Sequence, residues 1–156
     1  MEIDFEWLEE QIFHRKLGKE EKTALAESIH IVEFGKNDNL INEGEHADGL
    51  YLLVSGRAGV FHYSHGEMVR VGEVGEGAQL GDMALFDNQP YSTTITAKND
   101  CTAYKIPREV FDELVACQYA MGRDIMMNTI HRLSGIVRGM NTVNAYSQQF
   151  IQGRRI

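Results

Sequence analysis

The chain has 156 residues, 43% hydrophobic and 24% charged, which suits one folded domain with a substantial core. Its 15 basic and 23 acidic residues leave a net charge of −8, which disfavours nucleic acid and anionic membrane as partners. The acidic start lacks a basic flank before an apolar run, and the longest apolar run, Leu50–Val54, is far short of a membrane span, so a cytoplasmic location is expected.

Phe5, Leu8 and Ile12, then Leu25 and Ile29, recur at helical spacing with a break at Gly18, which predicts short helices in a segment 1–28. From Ile29 the period becomes that of strands. Ile29–Phe34, Leu40–Glu45 and Leu50–Ser55 are separated by polar and glycine turns. Arg57–Tyr63 and Glu67–Val74 read as a hairpin joined at Ser64-His65-Gly66. Thr93–Ala97 and Cys101–Ile106 close a β region 29–106. Many short strands with glycine turns predict a mainly β fold, a barrel or jelly roll.

Within that region Gly75–Thr94, GEGAQLGDMALFDNQPYSTT, carries the functional signal. Two glycine turns precede Gly81-Asp82 and a short apolar segment, and a Pro-containing turn then leads to Ser92, Thr93 and Thr94. The stretch reads either as an ordinary strand–turn–helix–turn–strand connection or as a polar cradle that lets a ligand approach the main chain. His14 and His30 stand alone. His62 and His65 sit at opposite sides of a hairpin end, and with His46 they form no carboxylate–histidine cluster, so no metal is expected. Cys101 and Cys117 lack metal or redox spacing and read as buried or half-buried thiols.

Pro107 is placed at the first position of a helix bearing Val110, Phe111, Leu114 and Val115 on one face. A longer helix over roughly 118–141 carries Met126, Ile130, Leu133, Val137 and Met140 at heptad spacing, with Ile125 and Ile136 widening the stripe. That stripe is either intramolecular core or the face that meets a twofold mate. Gly122, Gly135 and Gly139 permit close helix approach or easy bending. The segments are thus 1–28, 29–106, 107–141 and a tail 142–156.

The spacing of residues 75–94 resembles the phosphate-binding cassette of the cyclic nucleotide-binding domain family, the sensor module of catabolite-activator-type regulators, cyclic-nucleotide-dependent kinases and gated channels. The counterparts are Gly75, Gly77, Leu80, Gly81, Asp82, Ala84, Leu85, then Pro90, Tyr91, Ser92, Thr93 and Thr94. Leu40–Glu45 and Asp48–Gly56 match further family patterns, and Asn37 stands where the family usually has glycine. The resemblance covers about residues 15–140 and implies a double-stranded β-helix (jelly roll) with N-terminal helices and a long C-terminal helix that caps the ligand and forms a homodimer. His131, Arg132 and Ser134 fall at candidate lid positions.

Two departures fall on the chemistry. The family's ribose-binding glutamate is Asp82, one methylene shorter, and its phosphate-pairing arginine is Tyr91. No Lys or Arg lies between Val71 and Ala97, whereas Glu73, Glu76, Asp82 and Asp87 do. A hydrogen bond to a charged group contributes roughly 1.5–3 kcal/mol, so losing the arginine weakens a nucleotide by about one to two orders of magnitude. The expected ligand residues are Gly81, Asp82, Met83, Ala84, Tyr91, Ser92 and Thr93, with no cofactor and with a cyclic nucleotide disfavoured. Two functions stand open: a stand-alone sensor of a weakly bound or non-standard small molecule that signals through its C-terminal helix, or a ligand-free interaction and dimerisation module with Tyr91 filling the vacated pocket. A protein partner fits either. No nucleophile–base constellation points to an enzyme. About 15 residues follow Asn141, too few for a DNA-binding domain in this chain.

Overall fold

The computed structural model describes residues 2–117 and 119–153. Two antiparallel four-stranded sheets face each other, in strand orders β1–β8–β3–β6 and β2–β7–β4–β5. The first holds β1 (His30–Phe34), β8 (Cys101–Pro107), β3 (Gly49–Ser55) and β6 (Gln79–Leu80). The second holds β2 (Asn39–Ile41), β7 (Thr94–Ala97), β4 (Ala58–Ser64) and β5 (Glu67–Val74). Sequence-distant strands pair in both sheets, β1 with β8 and β2 with β7, which is jelly-roll topology.

The apolar run of β3 is fully buried at Leu50, Leu52 and Leu53, because this central strand has barrel core on one side and helices on the other. Its neighbour β8 contributes Ala103, Tyr104 and Ile106, equally buried. The β4–β5 hairpin turns where expected, with positive φ at both His65 and Gly66, the geometry that suits the strands' twist.

The N-terminal segment is less regular than its periodicity predicts. It holds α1 (Phe5–Leu8), a π-helical turn (Glu9–Phe13) and α2 (Lys19–Ser28). Trp7 packs edge-on against Tyr104 at 5.8 Å, and its indole donates to Glu76 Oε1 at 2.9 Å. Glu9 is the pin of this segment. Its carboxylate is 4% exposed and accepts from Leu17 N, Lys16 Nζ and Lys22 Nζ at 2.8–2.9 Å.

Hydrogen bonds from Lys16, then from Lys22 and Leu17 N, lower the Glu9 pKa from 4.5 to about 2. The folded value lies below the unfolded one, so this stabilisation is present above about pH 4.5 and is lost as pH falls towards 2. Glu9→Gln is therefore expected to lower the melting temperature at pH 7 and to change it little at pH 2. Paired thermal melts at the two pH values check this, and an equal loss at both would reject it.

After β8 come α4 (Arg108–Cys117) and α5 (Tyr119–Gly153). Pro107 corrects the sequence expectation: it is the last residue of β8, paired with Gly49, and the helix begins at Arg108. The helix α5 also outruns its expected end at Asn141. No Gly or Pro interrupts residues 141–152, so the helix continues to Gly153 where a tail was expected, while residues 154–156 lie outside the described residues. Gln118, where the helix was expected to begin, lies outside them too. Gly122 serves close approach, since a Cβ there would lie 2.8 Å from Val115 Cα of α4; Gly135 and Gly139 face open space. Cys101 is buried, but Cys117 is exposed, contrary to the half-buried thiol expected.

Candidate functional site

A cavity of about 470 Å³ opens between the two sheets, the cassette and α5. All seven expected ligand residues, Gly81, Asp82, Met83, Ala84, Tyr91, Ser92 and Thr93, line it. The strands add Ile41, Val60, Val71, Val74, Leu80 and Ile95, so most of the wall is aliphatic. From α5 come Arg132 and Ile136.

The cassette's backbone is set by Gly81, whose φ of +83° is costly for any residue with a Cβ. A Cβ there would also meet Gly49 O and the Tyr91 ring at 3.0 Å. From this turn α3 (Asp82–Asp87) starts and packs Phe86 edge-on against Phe111 of α4 at 5.1 Å. Arg108 joins the same parts, donating to Ala47 O and to Asn88 Oδ1.

Asp82 is 1% exposed, and protein groups already occupy its carboxylate. Arg132 Nη2 reaches both oxygens at 2.6 Å. The Thr129 hydroxyl donates to Oδ2 at 2.6 Å, and Gln79 Nε2 donates to the same oxygen at 2.9 Å. The acid expected to receive a ligand's hydroxyls is thus bound by two side chains of α5 and one of β6. Arg132 is the one cation among the lining residues, and it is engaged by Asp82.

Tyr91 neither caps the cavity nor stands free in it. It is 5% exposed and forms wall. Its hydroxyl donates to Asp48 Oδ1 at 2.8 Å, lies 3.0 Å from Gly49 O and accepts from Asp48 N at 3.2 Å. Burial, then the Asp48 carboxylate, push the phenol well above the usual tyrosine range. Burial opposes ionisation of Asp48 in turn, but Lys105 and the Tyr91 hydroxyl outweigh it and hold its carboxyl below the usual range. Tyr91 is thus anchored in the barrel wall by its hydroxyl.

Ser92 is exposed and Thr93 half-buried at the cavity, whereas the Thr94 hydroxyl accepts from Glu43 N at 3.0 Å. His62 Nδ1 lies 2.9 Å from Glu43 Oε1, a surface pair between β4 and the turn after β2. Among the described residues no three metal-ligating side chains converge.

Sequence reasoning missed two features. Gln79, inside the cassette stretch, was not singled out, yet it lies buried in the cavity wall. The second is electrostatic: Arg57, Arg70 and Lys98 all converge on Glu73, a wall residue of the cavity. These cations come from β5 and from just outside β4 and β7, so a window along the chain shows acids alone. Lys98 above all, with Arg57 and Arg70, holds the Glu73 carboxyl below its usual range.

The seam of α5 divides cleanly. Met121 and Ile125 are fully buried and Thr129 is 5% exposed, so this stripe meets the barrel. Met126, Ile130, Val137 and Met140 are 42–58% exposed, and Leu133 is half-buried. No helix among the described residues is long and apolar enough to cross a membrane.

Comparisons with known proteins agree with this architecture. The cyclic nucleotide-binding domain model matches residues 31–117. The cAMP-dependent protein kinase regulatory subunit of Aspergillus niger is 30% identical over 109 residues, which are 70% of this chain and 26% of that protein. This chain therefore spans about a quarter of that curated relative. Among solved structures, the cAMP-bound triple mutant of the regulatory subunit of a cAMP-independent protein kinase A from Trypanosoma brucei superposes with a TM-score of 0.67 at 26% identity, covering 83% of this chain and 45% of that one. A cyclic nucleotide-binding domain from Methylobacillus flagellatus gives 0.74 at 23% identity, covering 86% and 79%, a likeness of fold. With its jelly roll, its glycine-framed cassette and the matched span in agreement, this chain belongs to the cyclic nucleotide-binding domain family.

Proposed function

We propose that this chain is a regulatory sensor whose cavity takes a small molecule less anionic than a cyclic mononucleotide and whose α5 reports occupancy. The pair Asp82–Arg132 carries the reading. The carboxylate at the ligand's seat is held by the helix that would carry the signal. A hydroxyl-bearing ligand that reaches Asp82 displaces Arg132 and Thr129, so one exchange of partners couples binding to helix position. The β-roll, 29–106, senses, and residues 107–141 relay. The lining residues include no Cys, His or Lys, which supports a binding role over a catalytic one.

The wall chemistry supports the ligand class. Aliphatic side chains and two hydroxyls suit a largely neutral molecule, and Tyr91 offers no charge to a phosphate. The trypanosome relative described as cAMP-independent fits the same reasoning, because the mutant of it that holds cAMP includes a threonine-to-arginine change. Native mass spectrometry of the purified protein, followed by titration calorimetry with cyclic AMP and adenosine, tests the proposal. Adenosine is expected to bind more tightly than cyclic AMP, which binds weakly or undetectably; micromolar cyclic AMP binding would overturn it.

A second reading has its own observation. Asp82 is already satisfied by internal donors and Tyr91 by Asp48, the pattern of a pocket sealed by its own side chains. A ligand-free interaction module would retain no small molecule and bind neither probe.

Both readings use α5 as the contact with a second copy. Its exposed heptad positions lie to one side of the stripe that packs on the barrel, which leaves them open to a second copy without disturbing either core. Val137→Glu alters a side chain that is 54% exposed and should leave the monomer's fold intact. Light scattering is expected to show a dimer for the native protein and a monomer for the variant. A native monomer would reject the interface.

A further inference from the structure

Gln79 holds an acceptor without a partner among the described residues. Its Nε2 donates to Asp82 Oδ2 at 2.9 Å, to Thr129 Oγ1 at 2.9 Å and lies 3.3 Å from Ile125 O. A carboxylate and a carbonyl can only accept, so these contacts fix which end of the amide is nitrogen. The oxygen, Oε1, is buried and has no hydrogen-bond partner among the described residues, in a residue that is 8% exposed and forms part of the cavity wall. Buried acceptors left unpaired are uncommon in folded proteins and costly. This one stands beside the carboxylate at the ligand's seat.

Resting on the reading of this cavity as a small-molecule site, we infer that Gln79 is a ligand-reading residue and that the effector carries an N–H or O–H donor for Gln79 Oε1 next to the hydroxyl group that engages Asp82. Arg132 and Thr129 seal both groups in the closed arrangement. When a ligand displaces them, Gln79 loses Thr129 and the Ile125 carbonyl, and its amide gains a donor to offer as well. An amide with both ends open recognises a group that carries donor and acceptor side by side. A simple anion or a hydrocarbon leaves Oε1 unpaired and is rejected. The effector is therefore a donor-rich, largely neutral molecule.

The test is a cycle between residue and ligand, read by calorimetry. Adenosine has vicinal hydroxyls and an amino donor; 2′-deoxyadenosine, 3′-deoxyadenosine and N6,N6-dimethyladenosine each lack one donor site. Against the native protein, one deletion is expected to cost about tenfold or more in affinity, the size of one hydrogen bond. Against Gln79→Met, which keeps length and removes the amide, adenosine binds about tenfold more weakly and that same deletion costs nothing further. If every deletion that weakens the native protein weakens Gln79→Met equally, the contact lies elsewhere, which overturns the role of Gln79 while leaving the sensor reading in place. No binding of adenosine or cyclic AMP removes both. Should Gln79→Met fail to fold, a crystal structure of the native adenosine complex decides: a ligand donor about 3 Å from Oε1 supports the inference, and a water there rejects it.

Discussion

Tyr91→Arg is expected to raise the affinity for cyclic AMP by about 10- to 100-fold. A charged hydrogen bond contributes roughly 1.5–3 kcal/mol, and each 1.4 kcal/mol is tenfold in binding. The site is prepared for the change. Asp48 already presents its carboxylate to residue 91, at 2.8 Å from the phenol oxygen, and would pair with a guanidinium in the phenol's place. The variant forfeits the bonds to Gly49 O and from Asp48 N, so a loss of stability of about 1 kcal/mol accompanies the gain. Tyr91→Phe separates the two effects: it loses the same hydroxyl and gains no charge, so it should be less stable with unchanged nucleotide affinity. Calorimetry on the three proteins gives the answer. A folded Tyr91→Arg protein with native affinity would mean that position 91 does not face the phosphate at all.

The outline of this molecule was legible because its strands are short, apolar and punctuated by glycine, so period and turn chemistry agree. The hairpin at His65-Gly66 was found on those grounds; the cassette at Gly81-Asp82 and its seven expected ligand residues came from the family resemblance, and all seven line one cavity. What stayed hidden was set by partners distant in sequence. Nothing in the local sequence of Asp82 says that Arg132 and Thr129, some fifty residues on, will occupy it. Arg57 and Lys98 at Glu73 were missed for the same reason, since adjacent strands bring them there, while Arg70, on Glu73's own strand, lies just before the acidic stretch. Gln79 shows a further limit: pattern marks a residue as polar, but an unpaired oxygen is visible only once every other donor has been placed.

Arg132→Ala is expected to loosen α5 from the cassette. Asp82 is 1% exposed, and losing Arg132 leaves its charge buried with Thr129 and Gln79 as its remaining donors. Breaking a fully buried ion pair costs about 3–5 kcal/mol, but this guanidinium is 41% exposed, which reduces the expected loss to about 1–2 kcal/mol. The loss should concentrate in α5. Amide exchange around residues 126–136 is expected to quicken by about tenfold, while the central strands β3 and β8 keep their protection. Asp82→Asn supplies the counterpart: with the buried charge gone Arg132 has less to hold, so the double variant should lose less stability than the two single losses combined, by about 1 kcal/mol or more. Additive losses with an unchanged exchange pattern in α5 would show that the pair only neutralises charge, and the link from cavity to helix would have to run through other side chains. Coupling in stability together with faster α5 exchange would place the switch on a single carboxylate, which a ligand and the helix cannot share.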